Sequence, residues 1–166
     1  CNKIILTTGT FLNGLIHIGQ RKIRAGRMGE NAADGITESL AKMGFKSGRL
    51  KTGTPPRIYT KSINFKKCTV QHGDKTPNPF SFLNDSIDIE QIPCHITRTN
   101  HRVHQFIEKS IYLSPMYNGT IKTKGPRYCP SIEDKVQRFS EKESHQIFLE
   151  PETRTNEITY PNGIST

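Results

Sequence analysis

The segment 125–135 constrains the fold of this chain more than any other part of it. It reads Gly-Pro-Arg-Tyr-Cys-Pro-Ser-Ile-Glu-Asp-Lys, which is the composition of a helix start. Ser131 is a good N-cap residue, and Asp134 occupies the position at which a capping box has its acidic partner. Because apolar residues then recur at helical spacing, we predict a short amphipathic helix from about Ile132 to Phe139.

A cysteine lies two residues before that N-cap. Cys129 would be close to the positive end of the helix dipole and to the charge of Arg127, and both effects favour the thiolate. This hypothesis makes Cys129 a reactive residue with a pKa below the roughly 8.5 of a free cysteine. The alternative is that Cys129 is a small buried residue and Ser131 only caps a helix.

The composition indicates a limited hydrophobic core. Only 33% of the 166 residues are hydrophobic, and the chain begins at Cys1 and runs directly into an apolar stretch. A chain this polar buries little apolar surface by itself. We therefore expect it to be a fragment of a longer protein whose other segments complete the core.

The net charge of +9 is concentrated in the first third of the chain. Residues 1–57 contain ten Lys or Arg and three Asp or Glu. Glycines among these cations suit contact with phosphates, either of a nucleotide or of RNA. A solvated basic face explains the same pattern equally well.

The four cysteines are tens of residues apart, without a Cys-x-x-Cys pair. This spacing argues against a zinc site and against a disulfide framework, so a reducing compartment is the simpler expectation. No apolar run is long enough to span a bilayer, and we expect no membrane association.

Two segments near the N-terminus predict ligand contacts. Lys3–Thr10 has the pattern of a buried strand that ends in a small-residue turn, where an open α/β sheet places its ligand crevice. Gly9 would let the backbone approach a ligand, and Thr8 and Thr10 would supply hydroxyls. A helix is predicted from Ile36 to Met43, with Gly44 as its stop.

The segment 48–57 is predicted to be a specific loop, because its prolines and glycines exclude a regular element. It carries three cations, Arg49, Lys51 and Arg57, for which RNA and a cofactor are alternative anionic ligands.

Residues 58–123 have the composition of a small subdomain. Short strands are predicted at Ser81–Leu83 and Cys94–Thr97, followed by a helix from about His101 to Lys109. Without a third ligand nearby, His101 and His104 are predicted to have surface or packing roles rather than to bind a metal. A last strand is predicted at 146–152.

Seven motifs together closely resemble the MnmG family, whose older name is glucose-inhibited division protein A. The resemblance extends over the whole chain in order. The motifs are TTGTFLNGLIHIG at 7–19, GRLKTGTPPRI at 48–58, PFSF at 79–82, SPMY at 114–117, GPRYCPSIEDKV at 125–136, HQIFLEPE at 145–152 and YPNG at 160–163.

The resemblance implies an α/β fold, namely part of a Rossmann-like FAD/NAD(P)-binding flavoprotein fold with a small inserted α+β subdomain. Residues 1–57 would belong to the FAD-binding domain and 58–122 to the inserted subdomain. Residues 123–166 would lead back toward the FAD domain. The family's glycine-rich phosphate loop and its C-terminal tRNA-binding region would lie outside this chain, so we expect the fragment alone to be inactive.

The family modifies the wobble uridine of tRNA. The resemblance implies addition of an aminomethyl or carboxymethylaminomethyl group to carbon 5, with FAD and NADH as cofactors and methylenetetrahydrofolate as the one-carbon donor. It also implies the GTPase MnmE as a partner, a homodimer, and a location in the bacterial cytoplasm or the mitochondrial matrix. A non-catalytic tRNA-binding scaffold and a small-molecule flavin/NAD oxidoreductase are the alternatives.

The resemblance also implies site residues. Cys129 would be catalytic, the turn at 8–10 would contact FAD, and the segment 125–139 would form a nicotinamide-nucleotide site. At Ala33 family members often have a serine that contacts FAD, and we do not expect that side-chain contact here. The implied nucleotide site consists of Gly125, Pro126, Arg127, Tyr128, Cys129, Pro130, Ser131, Ile132, Glu133, Asp134, Lys135, Val136, Gln137, Arg138 and Phe139.

Overall fold

The structure is a computed structural model that describes residues 2–123, 125 and 130–166. The chain divides into two compact units. The first comprises Cys1–Lys51 and Ile111–Lys124, and the second comprises Thr52–Ser110 and Gly125–Thr166. The domain boundaries expected from composition and from the resemblance stay predictions.

The described part of the first unit contains a two-stranded hairpin, one α-helix and a short 3-10 helix at Ile111–Leu113. Strands β1 (Ile16–Ile18) and β2 (Arg21–Ile23) pair antiparallel, and helix α1 spans Ile36–Lys42. Gly44 follows the helix with φ 89°, a left-handed conformation that glycine adopts at low cost, so the predicted helix and its stop are confirmed.

The apolar N-terminal run is not the buried strand that its sequence predicts. Ile4 is 75% exposed and Ile5 89% exposed, and residues 2–8 have no regular structure. A strand forms only where a neighbouring strand takes up its backbone hydrogen bonds. Within the described residues no strand pairs with this run, and the prediction fails for that reason.

The second unit contains a five-stranded antiparallel sheet. Its order is β3-β7-β6-β5-β4, with β3 at Ile58–Tyr59, β4 at Thr69–Gln71, β5 at Cys94–Arg98, β6 at Gln146–Pro151 and β7 at Ile158–Asn162. The predicted strands at 94–97 and 146–152 are therefore confirmed. The predicted strand at Ser81–Leu83 is wrong, because these residues form a turn.

In the described part of the second unit two α-helices accompany the sheet, besides short 3-10 helices at Thr60–Ser62 and Phe65–Lys67. Helix α2 spans His101–Ser110 and helix α3 spans Ile132–Arg138, so both predicted helices are confirmed. The two helices pack against each other. Neither these helices nor any other helix among the described residues has the length and apolar character that a membrane span needs.

The core of the second unit is small. Since strand side chains alternate between faces, Ile147 and Leu149 of β6 lie on the same face, and both are buried. Helix α3 adds Ile132 and Val136 to the buried set, and Val136 is only 1% exposed. Each such side chain stabilises the fold by about 1.5–3 kcal/mol, so helix α3 is held mainly by these two residues.

Candidate functional site

The start of helix α3 has the capping arrangement that the sequence predicts. The backbone N–H of Asp134 donates to Ser131 Oγ at 3.2 Å, and the N–H of Ser131 donates to Asp134 Oδ2 at 3.4 Å. The N–H of Ile132 donates to the Ser165 carbonyl oxygen at 2.7 Å. The first turn of this helix is therefore fixed in place, and its N–H groups are largely used within the chain.

Two carboxylates lie in that first turn, Glu133 and Asp134. Glu133 is 7% exposed and accepts a hydrogen bond from the Thr166 hydroxyl. Carboxylates at a helix N-terminus offset the positive end of the dipole. They therefore reduce the contribution of this helix to a thiolate at Cys129, which the sequence argument did not take into account. Pro126, Arg127, Tyr128 and Cys129 lie outside the described residues.

The first turn of α3 leaves few open groups for the phosphate of a nicotinamide nucleotide. Two of its N–H groups are already bonded, and its carboxylates repel an anion. Lys135 Nζ donates to the Gly163 carbonyl oxygen at 2.9 Å, which holds this cation against the residue that follows β7. The open side chains lie at the other end of the helix, at Gln137, Arg138 and Phe139. Gly125 is exposed and Pro130 is half-buried.

The predicted flavin turn lies in the first unit. Gly9 has φ 59°, in the left-handed region, and a Cβ placed on it would lie 3.3 Å from the Phe11 ring. Thr8 is half-buried and Thr10 is exposed, and within the described part of the chain their hydroxyls have no hydrogen-bond partner. A backbone turn with two open hydroxyls has the donors that a nucleotide phosphate or ribose needs, so these residues fit part of a flavin site.

Ala33 contributes through its backbone instead of its side chain. Its carbonyl oxygen accepts a hydrogen bond from the N–H of Asn13 at 3.0 Å, and it forms a parallel bridge with Leu12. This contact fixes the backbone without the hydroxyl that a serine would supply.

The segment 48–57 has no regular secondary structure, as predicted. Its three cations differ in their contacts. Arg49 Nη1 donates to the Asn13 carbonyl oxygen at 2.8 Å, and Lys51 Nζ lies 5.9 Å from the Tyr117 ring centroid. These two residues belong to the first unit, and neither pairs with a carboxylate among the described residues. They therefore keep their charge available to an anion.

Arg57 belongs to the second unit and is occupied. Its Nε donates to Glu152 Oε1 at 2.8 Å, and its guanidinium lies 4.6 Å from the Tyr160 ring centroid. Arg49 and Lys51 thus have no carboxylate partner among the described residues, whereas Arg57 joins the end of the loop to the β6–β7 hairpin.

A surface cleft of about 280 Å³ lies beside Arg49 in the first unit. Arg24 also lines it, together with Asn13, Gly14 and Leu15. Gly14 permits close packing there, because a Cβ on it would lie 2.6 Å from the Ala25 carbonyl oxygen. Arg24 pairs with Asp34 at 2.9 Å, so Arg49 is the arginine of this cleft that has no carboxylate partner among the described residues.

A buried polar cluster in the second unit escaped the sequence analysis. Thr99 Oγ1 lies 2.7 Å from His104 Nε2 and accepts a hydrogen bond from the N–H of His145 at 2.7 Å. The two histidine rings have centroids 5.1 Å apart, and burial, followed by the proximity of His104, lowers the pKa of His145. His101 Nε2 instead lies 2.9 Å from Gln105 Nε2. His101 and His104, for which surface or packing roles are predicted, therefore have different partners. The cluster ties the end of β5 to the start of β6.

The chain matches the family model described as "Glucose inhibited division protein A" over residues 1–166. It is 52% identical to a Cytophaga hutchinsonii protein named "tRNA uridine 5-carboxymethylaminomethyl modification enzyme MnmG", over 100% of this chain and 27% of that protein. A Thermodesulfovibrio yellowstonii protein of the same name is 54% identical over 98% of this chain and 26% of its own length.

Solved structures match as well. The chain superposes on Aquifex aeolicus GidA in its form I crystal with a TM-score of 0.83 and 45% identity, over 96% of this chain and 28% of that one. The form II crystal gives a TM-score of 0.79 at 41% identity, over 96% and 26%. The predicted α/β fold class is confirmed, and the chain spans about a quarter of the length of these relatives. By sequence and by structure, the chain belongs to the glucose inhibited division protein A family.

Proposed function

We propose that this chain is the central part of an FAD-dependent enzyme that adds an aminomethyl or carboxymethylaminomethyl group to carbon 5 of the wobble uridine of tRNA. The observation that carries the proposal is the family match over all 166 residues, together with relatives above 50% identity whose names state this modification. Two groups of residues agree with it. The hydroxyls of the turn at 8–10 suit contact with a dinucleotide, and the cations Arg49 and Lys51 suit contact with a polynucleotide.

The turn at 8–10 would hold part of the flavin. Thr8 and Thr10 would donate hydroxyl hydrogen bonds, and Gly9 would allow the backbone to approach closely. FAD, when bound, supplies the electron transfer of the reaction, with NADH as the reductant. The segment 125–139 would hold the nicotinamide nucleotide, and Gln137, Arg138 and Phe139 are exposed side chains within it.

Cys129 would act on the uridine ring. Addition of its thiolate to carbon 6 forms the S–C6 bond and moves the electrons of the C5=C6 double bond toward carbon 5. The one-carbon unit of methylenetetrahydrofolate would reach carbon 5 as a methylene iminium, formed with ammonia or a primary amine as tetrahydrofolate is released. Attack by carbon 5 would form the C5–CH2 bond, and the electrons of the C=N π bond would become the lone pair of the amine. Loss of the carbon 5 proton and cleavage of the S–C6 bond restore the ring. The capping box fixes the chain from Ser131 onward.

Arg49 and Lys51 would contact tRNA phosphates, and Arg57 would support the loop that carries them. We distinguish these roles because Arg57 pairs with Glu152, whereas Arg49 and Lys51 pair with no carboxylate among the described residues. The GTPase MnmE and a second copy of the protein are the proposed partners, and the bacterial cytoplasm is the proposed location.

Replacing Gly9 by valine in the full-length protein is expected to lower flavin occupancy. Valine strains the left-handed backbone, and its side chain meets the Phe11 ring and narrows the approach to the turn. The measurement is the ratio of flavin absorbance to protein absorbance after purification. Gly19→Val is the matched control, since Gly19 has φ 55° but nothing within 4 Å of its Cβ. If Gly9→Val protein is as yellow as Gly19→Val protein, the turn is not at the flavin.

The double substitution Arg49→Gln/Lys51→Gln is expected to weaken tRNA binding and to reduce the slope of log affinity against log salt by about 1 per lost phosphate contact. The measurement is a salt titration of tRNA affinity. Arg154→Gln, which removes an exposed arginine on the β6–β7 hairpin, is the control and should leave the slope unchanged. Loss of flavin at unchanged tRNA affinity would assign this loop to the cofactor instead.

The enzyme function is tested by incubating the purified full-length protein with tRNA that lacks the modification. NADH and methylenetetrahydrofolate are added to the reaction. Formation of 5-substituted wobble uridine is the expected result. Tight tRNA binding without product would favour the tRNA-binding scaffold, which the basic first unit also supports. Flavin-dependent oxidation of NADH without any effect of tRNA would favour a small-molecule oxidoreductase.

A further inference from the structure

The buried polar residues Thr99, His104 and His145 of the second unit, which we name the histidine cluster, have no part in the function proposed above. Their relative exposures are 6%, 7% and 8%. Thr99 follows β5, His104 lies in the first half of α2, and His145 directly precedes β6. Side chains that this chain already buries stay buried when further segments of a longer protein are added, so the cluster can be analysed from the residues present.

The hydrogen bonds of the histidine cluster assign the hydroxyl proton of Thr99. Its Oγ1 accepts from the N–H of His145 at 2.7 Å and lies 2.7 Å from His104 Nε2. The His145 carbonyl oxygen is 3.5 Å from the hydroxyl, at the long limit of a hydrogen bond, and already accepts from the N–H of Thr99 at 2.9 Å. The hydroxyl therefore donates to His104 Nε2, and a ring nitrogen accepts a hydrogen bond only when it carries no proton.

The ring of His145 has no acceptor for a second proton. Its Nε2 is buried and has no hydrogen-bond partner among the described residues. In a charged histidine both ring nitrogens carry an N–H, so protonation would leave a buried donor unpaired. Arg98, the charged residue of β5, donates to Gln146 Oε1 at 3.4 Å and supplies no acceptor.

The charges around His145 also oppose a proton on its ring. Burial lowers the pKa of His145 most, and the neighbouring His104, whose ring centroid is 5.1 Å away, lowers it next. Lys135 of α3 and Lys142, which follows that helix, act in the same direction, and Glu141 acts against them. While the cluster is intact, both of its rings are therefore neutral.

We propose that the histidine cluster is a proton-sensitive latch, which holds the start of α2 against the end of β5 and the start of β6 while its rings are neutral. When the latch opens, His145 reaches water and regains its ordinary pKa of about 6.5, so the open form binds more protons than the closed one. The latch is therefore stable above about pH 6.5 and weakens as the pH falls below that value. Because α2 packs against α3, opening removes part of the packing of the helix that follows Cys129.

The test measures backbone amide hydrogen exchange of helix α2 in the full-length protein at pH 7.5 and pH 5.5, corrected for the intrinsic pH dependence of exchange. One proton taken up on opening predicts a decrease of about tenfold in the protection factor over this range. Unchanged protection in the wild-type protein would overturn the inference. The readout does not involve tRNA modification, so its result is independent of the proposed enzyme function.

His145→Leu is the informative variant, because leucine binds no proton and needs no acceptor at the position of Nε2. Most of the decrease in protection is expected to disappear in this variant. His101→Gln is the matched control, since His101 is an exposed histidine on the same helix, and it should retain the wild-type decrease. A decrease in His145→Leu as large as in wild type, or its loss in both variants, would contradict the latch.

A second measurement needs no variant and applies even if His145→Leu does not fold. The C2 hydrogen of a histidine ring exchanges with solvent deuterium at a rate that depends on protonation of the ring, and mass spectrometry resolves this exchange for each histidine. In the wild-type full-length protein the exchange of His145 is expected to have its midpoint below about pH 6.5, the ordinary histidine value. A midpoint at or above that value would show that the closed cluster accepts the charged ring, and the latch would be wrong.

Discussion

Replacement of Cys129 by serine in the full-length protein is expected to reduce wobble-uridine modification by a factor on the order of 10³ or more, as loss of a nucleophile does in other enzymes. Serine keeps the size of the side chain, but its hydroxyl is a poor nucleophile at neutral pH. Folding and flavin content should survive. The measurement is nucleoside analysis of tRNA from cells whose only copy of the gene carries the substitution, with the flavin spectrum of the purified protein alongside.

Cys94→Ser is the matched control for that experiment. Cys94 is a free, half-buried thiol on β5, and burial, together with Glu150, raises its pKa and keeps it protonated. Modification should stay near the wild-type level in this variant. Near-normal modification in Cys129→Ser cells would contradict a nucleophilic role, and Cys129 would then be a packing residue.

Substitution of Val136 by aspartate is expected to destabilise the second unit by about 3–5 kcal/mol, because it leaves an unpaired charge in the core. Val136 is 1% exposed and is one of the two apolar residues that hold helix α3. The measurement is the thermal unfolding of the full-length protein. We expect loss of soluble protein or a strongly lowered transition, and with it loss of modification activity.

The control for this prediction is Val103→Asp, the same chemical change on the first turn of α2. Val103 is 39% exposed, and a carboxylate near a helix N-terminus interacts favourably with the dipole. This variant should unfold near the wild-type temperature. Equal losses of stability in the two variants would mean that Val136 is not in the core.

Local signals in the sequence predicted the helices well. Helix α3 follows from Ser131, Asp134 and the apolar spacing behind them, and its capping box is present as predicted. Helix α1 follows from its periodicity and from Gly44. Each of these features depends on residues within one or two turns of one another, which is why a single sequence contains the information.

Features that depend on distant residues were not predictable. The N-terminal apolar run has the sequence of a strand but no strand to pair with among the described residues. Arg57 is paired with Glu152, which is 95 positions away, so its charge looked as open as that of Arg49. Thr99 and His145 are 46 positions apart, and no local pattern links them. The order of the sheet likewise depends on pairings that close only in the folded unit.

We propose that the protein containing this chain modifies the wobble uridine of tRNA. It is tested most directly by nucleoside analysis of tRNA from a strain that lacks the gene, compared with the same strain expressing the full-length protein from a plasmid. We expect uridines with an aminomethyl or carboxymethylaminomethyl group at carbon 5 to disappear on deletion and to return on expression. Unchanged levels of these nucleosides in the deletion strain, in the absence of a second gene of the family, would contradict it.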